Sequence, residues 1–432
     1  MKRTARDNRD LPHPKPVQKI ELNDEHTKGR FIAVVLLIIL GAMAVAYGFT
    51  KLMTPQTGWQ EIKASAGDGL TCGDDFVFLY DVGSSGASAS VEARAVTALY
   101  TQACRRLYQA FDTETNAGEA GNVYALNHQP NEIVTVDEVL YHALEQVQRS
   151  GSRAIYLGPV YYRYEDLFYC EDDSQLMDFD PYLSDEVREE YAAVAAFAGD
   201  PQSIDVELLG DNQVRLNVSA DYLAYAKTLG TERFLDFAWL KNAFEADYLA
   251  QVMLDNGYTC GIISSVDGFV RNLDSREQSY YLNLYDLPED QVILAAAMEY
   301  QGPVSLATMR NFPVSDLDDP RYYRLRDGRM CTMYLDPADG MCKASASSLV
   351  CYSRTQGCAG LALEMAPVFI SDGPGILNAG LEDLHDKQIQ YVCCIEQGLL
   401  FTDRSMKLTN LYNVGDLKYF AVDMNDPANY GG

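Results

Sequence analysis

From Phe31 to Thr50 the chain reads FIAVVLLIILGAMAVAYGFT, twenty residues without a charge. At about 1.5 Å of rise per residue, a helix of this length spans roughly 30 Å, the thickness of a bilayer's hydrocarbon core. A buried core helix rarely runs so far without a polar stripe, so the run is read as one transmembrane helix. Lys2, Arg3, Arg6, Arg9, Lys15, Lys19, Lys28 and Arg30 precede it, whereas Lys51, Lys63, Asp68, Asp74 and Asp75 follow. A basic flank marks the cytoplasmic side, which places the N-terminus in the cytoplasm and the main domain outside the cell membrane. The long basic lead and long apolar run argue for an uncleaved signal anchor rather than a cleaved leader. The expected organisation is a basic, disordered cytoplasmic tail over 1–30, the anchor over 31–50 and a linker over 51–72. One extracytoplasmic domain over 73–424 and a frayed tail over 425–432 complete it.

Charge and cysteine usage limit the partners. The net charge is −28; residues 1–30 hold eight Lys/Arg and five Asp/Glu, so the remainder carries −31. Such a surface repels nucleic acid, which is excluded as a partner. It also suits a solvated face with no partner at all. The ten cysteines permit disulfides outside the cell. They are scattered without a CxxC, which argues against zinc. Cys260, Cys393 and Cys394 sit in apolar runs, where cysteine also serves as a small core residue.

Periodicity predicts an α+β domain with mixed sheets and packed helices. A strand over Phe76–Tyr80 and a small-residue turn lead into a helix over Ser90–Phe111, whose Val96, Tyr100, Ala103, Leu107 and Phe111 share one face. A polar loop through Asn116 leads to Val123–Asn127. A second helix carries Val139, Leu140, Leu144 and Val147, and another spans Asp185–Phe197. Strands follow at Ile204–Leu208 and Val214–Asn217, then a helix over Asp236–Leu254 with Gly257 just beyond it. Further strands are read at Ile262–Val270, Tyr280–Leu284 and Val304–Thr308. Met330–Leu335 and Ser347–Tyr352 read as a pair around the turn Asp336–Gly340. Gly357–Ala366 reads as a helix, and Tyr391–Ile395 with Leu399–Phe401 as a strand pair.

Four segments of this chain follow one another in a telling order. The first is the strand, turn and helix from Phe76 to Phe111, leading to Asn122-Val123-Tyr124-Ala125-Leu126-Asn127, Val134-Thr135-Val136-Asp137 and Gly158-Pro159. The second runs from Leu235-Asp236 through Lys241-Asn242 to Asp247. The third is Val304-Ser305-Leu306-Ala307-Thr308, and the fourth is Asp327-Gly328 through Asp336-Pro337 to Gly340. Together they resemble the ApbE-type FAD:protein FMN transferases, extracytoplasmic magnesium-dependent enzymes that split FAD and attach FMN to a Ser or Thr of a target protein. The resemblance covers roughly residues 75–365. It implies the ApbE fold, FAD and Mg2+ as cofactors, and a flavinylated envelope protein as partner. It also places Lys241, Asp247, Thr308 and Asp336 in the nucleotide site. Without it, Lys241 reads as a solvated helix lysine, and Asp336-Pro337 reads equally as a plain turn.

The departures fall on functional positions. The family's histidine lands on Met333, which can neither transfer a proton nor bind phosphate. Its magnesium-binding Asp and Thr fall on Cys358 or Ala359 and on Ala362 or Leu363, where hard oxygen ligands are missing. A family Gly-Gly reads Ser264-Ser265-Val266-Asp267-Gly268, and a family Asp-x-Thr reads Ala154-Ile155-Tyr156. Glu364 and the acidic loop with Asp316, Asp318 and Asp319 are candidate substitutes, although that loop lacks EF-hand spacing and reads as a solvated turn. The expectation is a membrane-anchored flavin transferase relative with impaired chemistry. The alternative is a non-catalytic flavin-binding or protein-interaction module of the envelope. No Gly-x-Ser-x-Gly elbow supports a hydrolase.

Overall fold

The structure, a computed structural model, describes residues 35, 37–43, 57–65, 71–170, 174–316, 318–395, 398–403 and 406–423. The chain divides into two compact units, Met1–Pro55 and Gln56–Gly432. In the first, Val35 and residues 37–43 are helical. The expected tail 1–30, most of the expected anchor 31–50 and the expected tail 425–432 lie outside the described residues. No helix among the described residues is long and apolar enough to cross a membrane.

The second unit is built on a nine-stranded sheet whose spatial order follows the order along the chain. Its strands are β1 (Gly58–Ile62), β2 (Phe76–Val82), β3 (Gly261–Ser265), β4 (Phe269–Asn272), β5 (Val304–Arg310), β6 (Ser348–Ser353), β7 (Gln390–Cys394), β8 (Leu399–Thr402) and β9 (Phe420–Asp423). Each neighbouring pair is antiparallel except β8 and β9, which run parallel. Helices α1 (Ala89–Phe111), α2 (Glu138–Ser150), α3 (Lys241–Asp255), α4 (Cys358–Phe369) and α5 (Pro374–Asp386) share the larger core on one face. On the other face, the hairpin Ser279–Asp286 and Ile293–Gln301 forms a smaller core against β5, β6 and β7.

Because a strand points successive side chains to opposite faces, the middle strands serve both cores. On β6, Leu349 and Cys351 enter the helical core while Val350 and Tyr352 enter the other; on β7, Cys393 and Cys394 divide in the same way. Every residue of β6 is buried, which is why this stretch reads as an uninterrupted apolar run rather than an alternating one. All ten cysteines are free thiols and seven are buried, several of them as core residues of this kind.

The apolar faces read from the sequence are the buried ones: Val96, Tyr100, Ala103, Leu107 and Phe111 on α1, and Val139, Leu140, Leu144 and Val147 on α2. Several expectations need correction. The expected linker 51–72 supplies the edge strand β1, held by its pairing with β2 and by Trp59 packed edge-on against Tyr280. Residues 262–270 are two strands folded about Val266-Asp267-Gly268, since Gly268 adopts φ +110. The helix expected from Asp236 begins at Lys241, because the Asp236 carboxylate accepts the Ala238 amide at 2.7 Å and Ala238 turns to φ +43. Met330–Thr332 pairs with Tyr322–Arg324, not with β6, which is claimed on both edges by β5 and β7. Asp318, expected in a solvated turn, is 2% exposed and bound to Arg310 at 2.8 Å.

Candidate functional site

A cleft of about 200 Å3 opens where α3 begins, beside the β3–β4 turn. Its walls carry Asp75 from the turn before β2, Lys241 and Asn242 from the first turn of α3, and Asp267 from the β3–β4 turn. Arg321 and Tyr322 come from the segment after β5, with Thr332, Met333 and Tyr334 beyond. The strained entry at Ala238 sets Trp239 and Lys241 on this wall. Gly268 sets Asp267: a Cβ there would lie 2.7 Å from the Thr308 carbonyl oxygen, and the backbone has a left-handed φ as well.

Both cations of the cleft wall converge on one carboxylate. Lys241 Nζ lies 3.9 Å from Asp75 Oδ2, and Arg321 Nη2 lies 3.2 Å from Asp75 Oδ1. Across from them, Asp267 accepts a hydrogen bond from Asn242 Nδ2 at 2.9 Å and another from the Ser265 hydroxyl. Burial raises the Asp267 pKa above the ordinary carboxylate value, although Arg321 pulls it back. One turn below Lys241, Glu245 is fully buried and neither carboxylate oxygen has a hydrogen-bond partner. Burial pushes its pKa up to about 7, against the opposing pull of the Lys241 ammonium. Burial alone would lower the Lys241 pKa, but Glu245 and Asp75 outweigh it and leave it raised.

The four residues placed in the site by sequence occupy different surroundings. Lys241 lines the cleft. Thr308 lies on β5 behind the Asp267 turn, where its amide donates to the Gly268 carbonyl at 3.0 Å. Asp247 lies further along α3 and faces the start of α4; it accepts the Cys358 and Ala359 amides at 2.8 and 2.9 Å and pairs with Arg271. Gly357 is required there, since a Cβ would meet the Asp247 carboxylate. Asp336 is held in its own turn by Lys343 at 2.8 Å and lines a second cavity of about 450 Å3. Arg321, Tyr322 and Glu245 were not singled out from sequence. Glu245 had a usable signal, a carboxylate four residues after Lys241 on one helix face.

No family model matches the chain, and no curated protein matches it. Solved structures do. The ApbE protein of Thermotoga maritima superposes with a TM-score of 0.53 at 14% identity, over 78% of this chain and 94% of that one. The flavin transferase ApbE from Vibrio cholerae gives 0.53 at 13% identity, over 82% of this chain and 97% of that one. The chain has the ApbE fold. At these identities the likeness concerns the fold alone.

Within this ApbE-like fold, the segment where the resemblance places magnesium ligands does not fit that ion. Cys358 is buried and its thiol donates to the carbonyls of Val270 and Leu306, at 3.3 and 3.5 Å. Ala359 and Ala362 are fully buried and Leu363 nearly so, and none offers a side-chain oxygen. The nearby Asp247 carboxylate is already committed to two amides and a guanidinium. Among the described residues, no group of three or more His, Cys, Asp or Glu side chains is disposed to hold a metal. Met333, where the resemblance places a histidine, lines the cleft with its thioether.

Proposed function

We propose that this chain is a membrane-anchored flavin-nucleotide-binding protein of the ApbE fold that does not transfer FMN. The carrying observation is the convergence of Lys241 and Arg321 on Asp75. The Lys241 contact is long and both contacts are part-exposed, so a flavin's phosphates, with more charge and more acceptor oxygens, would displace the Asp75 carboxylate. Tyr322 and Tyr334 add aromatic surface beside the cations. The chain's own residues would bind and orient the nucleotide. Met333 and the aliphatic start of α4 offer neither the proton-transfer group nor the metal ligands on which the family's chemistry depends. The uncharged run Phe31–Thr50 and its basic flank support the anchor and the extracytoplasmic placement of the acidic domain.

One observation favours a second reading, in which the chain is a transferase with substitute groups. Asp267 is a half-buried carboxyl in the cleft with a raised pKa, and such a group can act as a general base. A flavinylated envelope protein would then be its partner. Turnover separates the two readings. Full-length protein incubated with FAD, Mg2+ and a Ser/Thr-bearing acceptor peptide, whose hydroxyl (or water) takes the FMN phosphoryl group as AMP leaves, is analysed by chromatography for AMP. Intact FAD supports the binding reading, and metal-dependent release of AMP refutes it. In the Met333→His, Cys358→Asp double variant, appearance of AMP would show that these two positions account for the missing chemistry.

A further inference from the structure

Trp239 lines both the cleft and the second cavity. The cleft, at about 200 Å3, is smaller than the 300–1,000 Å3 typical of sites that enclose a small-molecule cofactor. Opened into the second cavity, it falls within that range. The second cavity is mainly apolar, with Leu363, Ala366, Pro367 and Ile370 lining it and Asp336 at its edge. Such a chamber suits a planar ring system that is apolar on both faces and polar along its rim.

The partition combines holding contacts with backbone strain. Trp239 is 8% exposed, and its indole N–H is turned to the hydroxyl of the buried Tyr161. The preceding residue, Ala238, holds φ +43, a backbone region that disfavours any side chain with a Cβ. Backbone strain therefore sits next to the residue that lines both cavities. The ring itself packs edge-on against Tyr334, which packs edge-on against Phe369 of α4, both at 5.5 Å between centroids. Those contacts hold the partition shut in the absence of ligand.

We infer that the two cavities are a single ligand site divided by Trp239, in which the second cavity takes the flavin ring and the cleft takes the phosphates. This rests on the flavin-binding reading above. Binding turns Trp239 aside, and the strain at Ala238 reduces the free energy needed to do so.

The test is equilibrium titration of the full chain in detergent with ADP, riboflavin and FMN, comparing wild type with W239A and A238G. W239A leaves the chambers joined, so riboflavin affinity is expected to rise about tenfold or more while ADP affinity stays within about twofold. A238G relaxes the backbone with Trp239 in place, which favours the closed partition; FMN affinity is expected to fall about three- to tenfold with ADP unchanged. Parallel changes for ring-bearing and ring-free ligands, or no change in either variant, overturn the two-chamber site. If W239A does not fold, A238G alone decides it. Wild-type FMN binding with no effect of the variants overturns this inference and leaves the flavin-binding reading standing. Absence of FMN binding to wild type and both variants overturns both.

Discussion

Glu245→Gln tests the electrostatics beneath the cleft. Glu245 is 0% exposed with both oxygens unpartnered, and its pKa of about 7 compares with an ordinary value of 4.5. A carboxyl whose folded pKa is raised contributes its stability fully below the unfolded pKa and loses it as pH rises through the folded pKa. The window is therefore pH 4.5 to 7, where the folded chain holds a proton that the unfolded chain releases. The separation of these two values corresponds to about 3 kcal/mol. Gln has nearly the same shape and stays neutral at every pH, so it mimics the protonated acid throughout. Urea denaturation of both proteins, followed by circular dichroism from pH 4 to 8, is expected to show equal stability at pH 4. At pH 8 the variant should be more stable by about 3 kcal/mol. A stability difference that stays flat across this range refutes the reasoning, because it would mean that Glu245 ionises in the fold as easily as in the unfolded chain.

Asp247→Ala removes the acceptor for two amides of the first turn of α4 and leaves Arg271 without its carboxylate; a loss of about 2–4 kcal/mol is expected, read from the denaturation midpoint. Gly268→Ala forces a Cβ against the Thr308 carbonyl at a left-handed φ; it should destabilise the fold by about 1–3 kcal/mol and weaken any ligand contact made through Asp267, read by melting and titration together. Leu107→Ala empties a fully buried position on α1 and should lower stability by about 2–5 kcal/mol, with the nucleotide affinity of the surviving folded protein unchanged.

Much of the scaffold was legible because its signals are local. The four-and-three spacing on α1 and α2 named their buried faces residue by residue, and the order of weak motifs pointed to the ApbE fold at 13–14% identity. What failed was decided by contacts distant in sequence. The pairing of β1 depends on β2 and on Trp59 meeting Tyr280. The start of α3 at Lys241 rather than Asp236 is the local exception, set by the Asp236 side chain capturing the amide two residues on. The hairpin partner Ile293–Gln301 was missed because its face is read only against the second core. At the site, Lys241 was found through the resemblance. Arg321 lies 246 residues from the Asp75 it pairs with, and no local pattern announces such a meeting. Asp336 looked like a site residue or a turn; its ion pairs with Lys343 and its place beside the second cavity make it both part of a turn and part of a cavity wall.

Isothermal titration of the full-length protein with FAD, once with magnesium and once with EDTA, tests whether the cleft holds a flavin nucleotide without a metal. Binding of the same affinity is expected in both buffers, weakened about tenfold by either Lys241→Ala or Arg321→Ala. Binding only in the presence of magnesium, or no binding in either buffer, contradicts it.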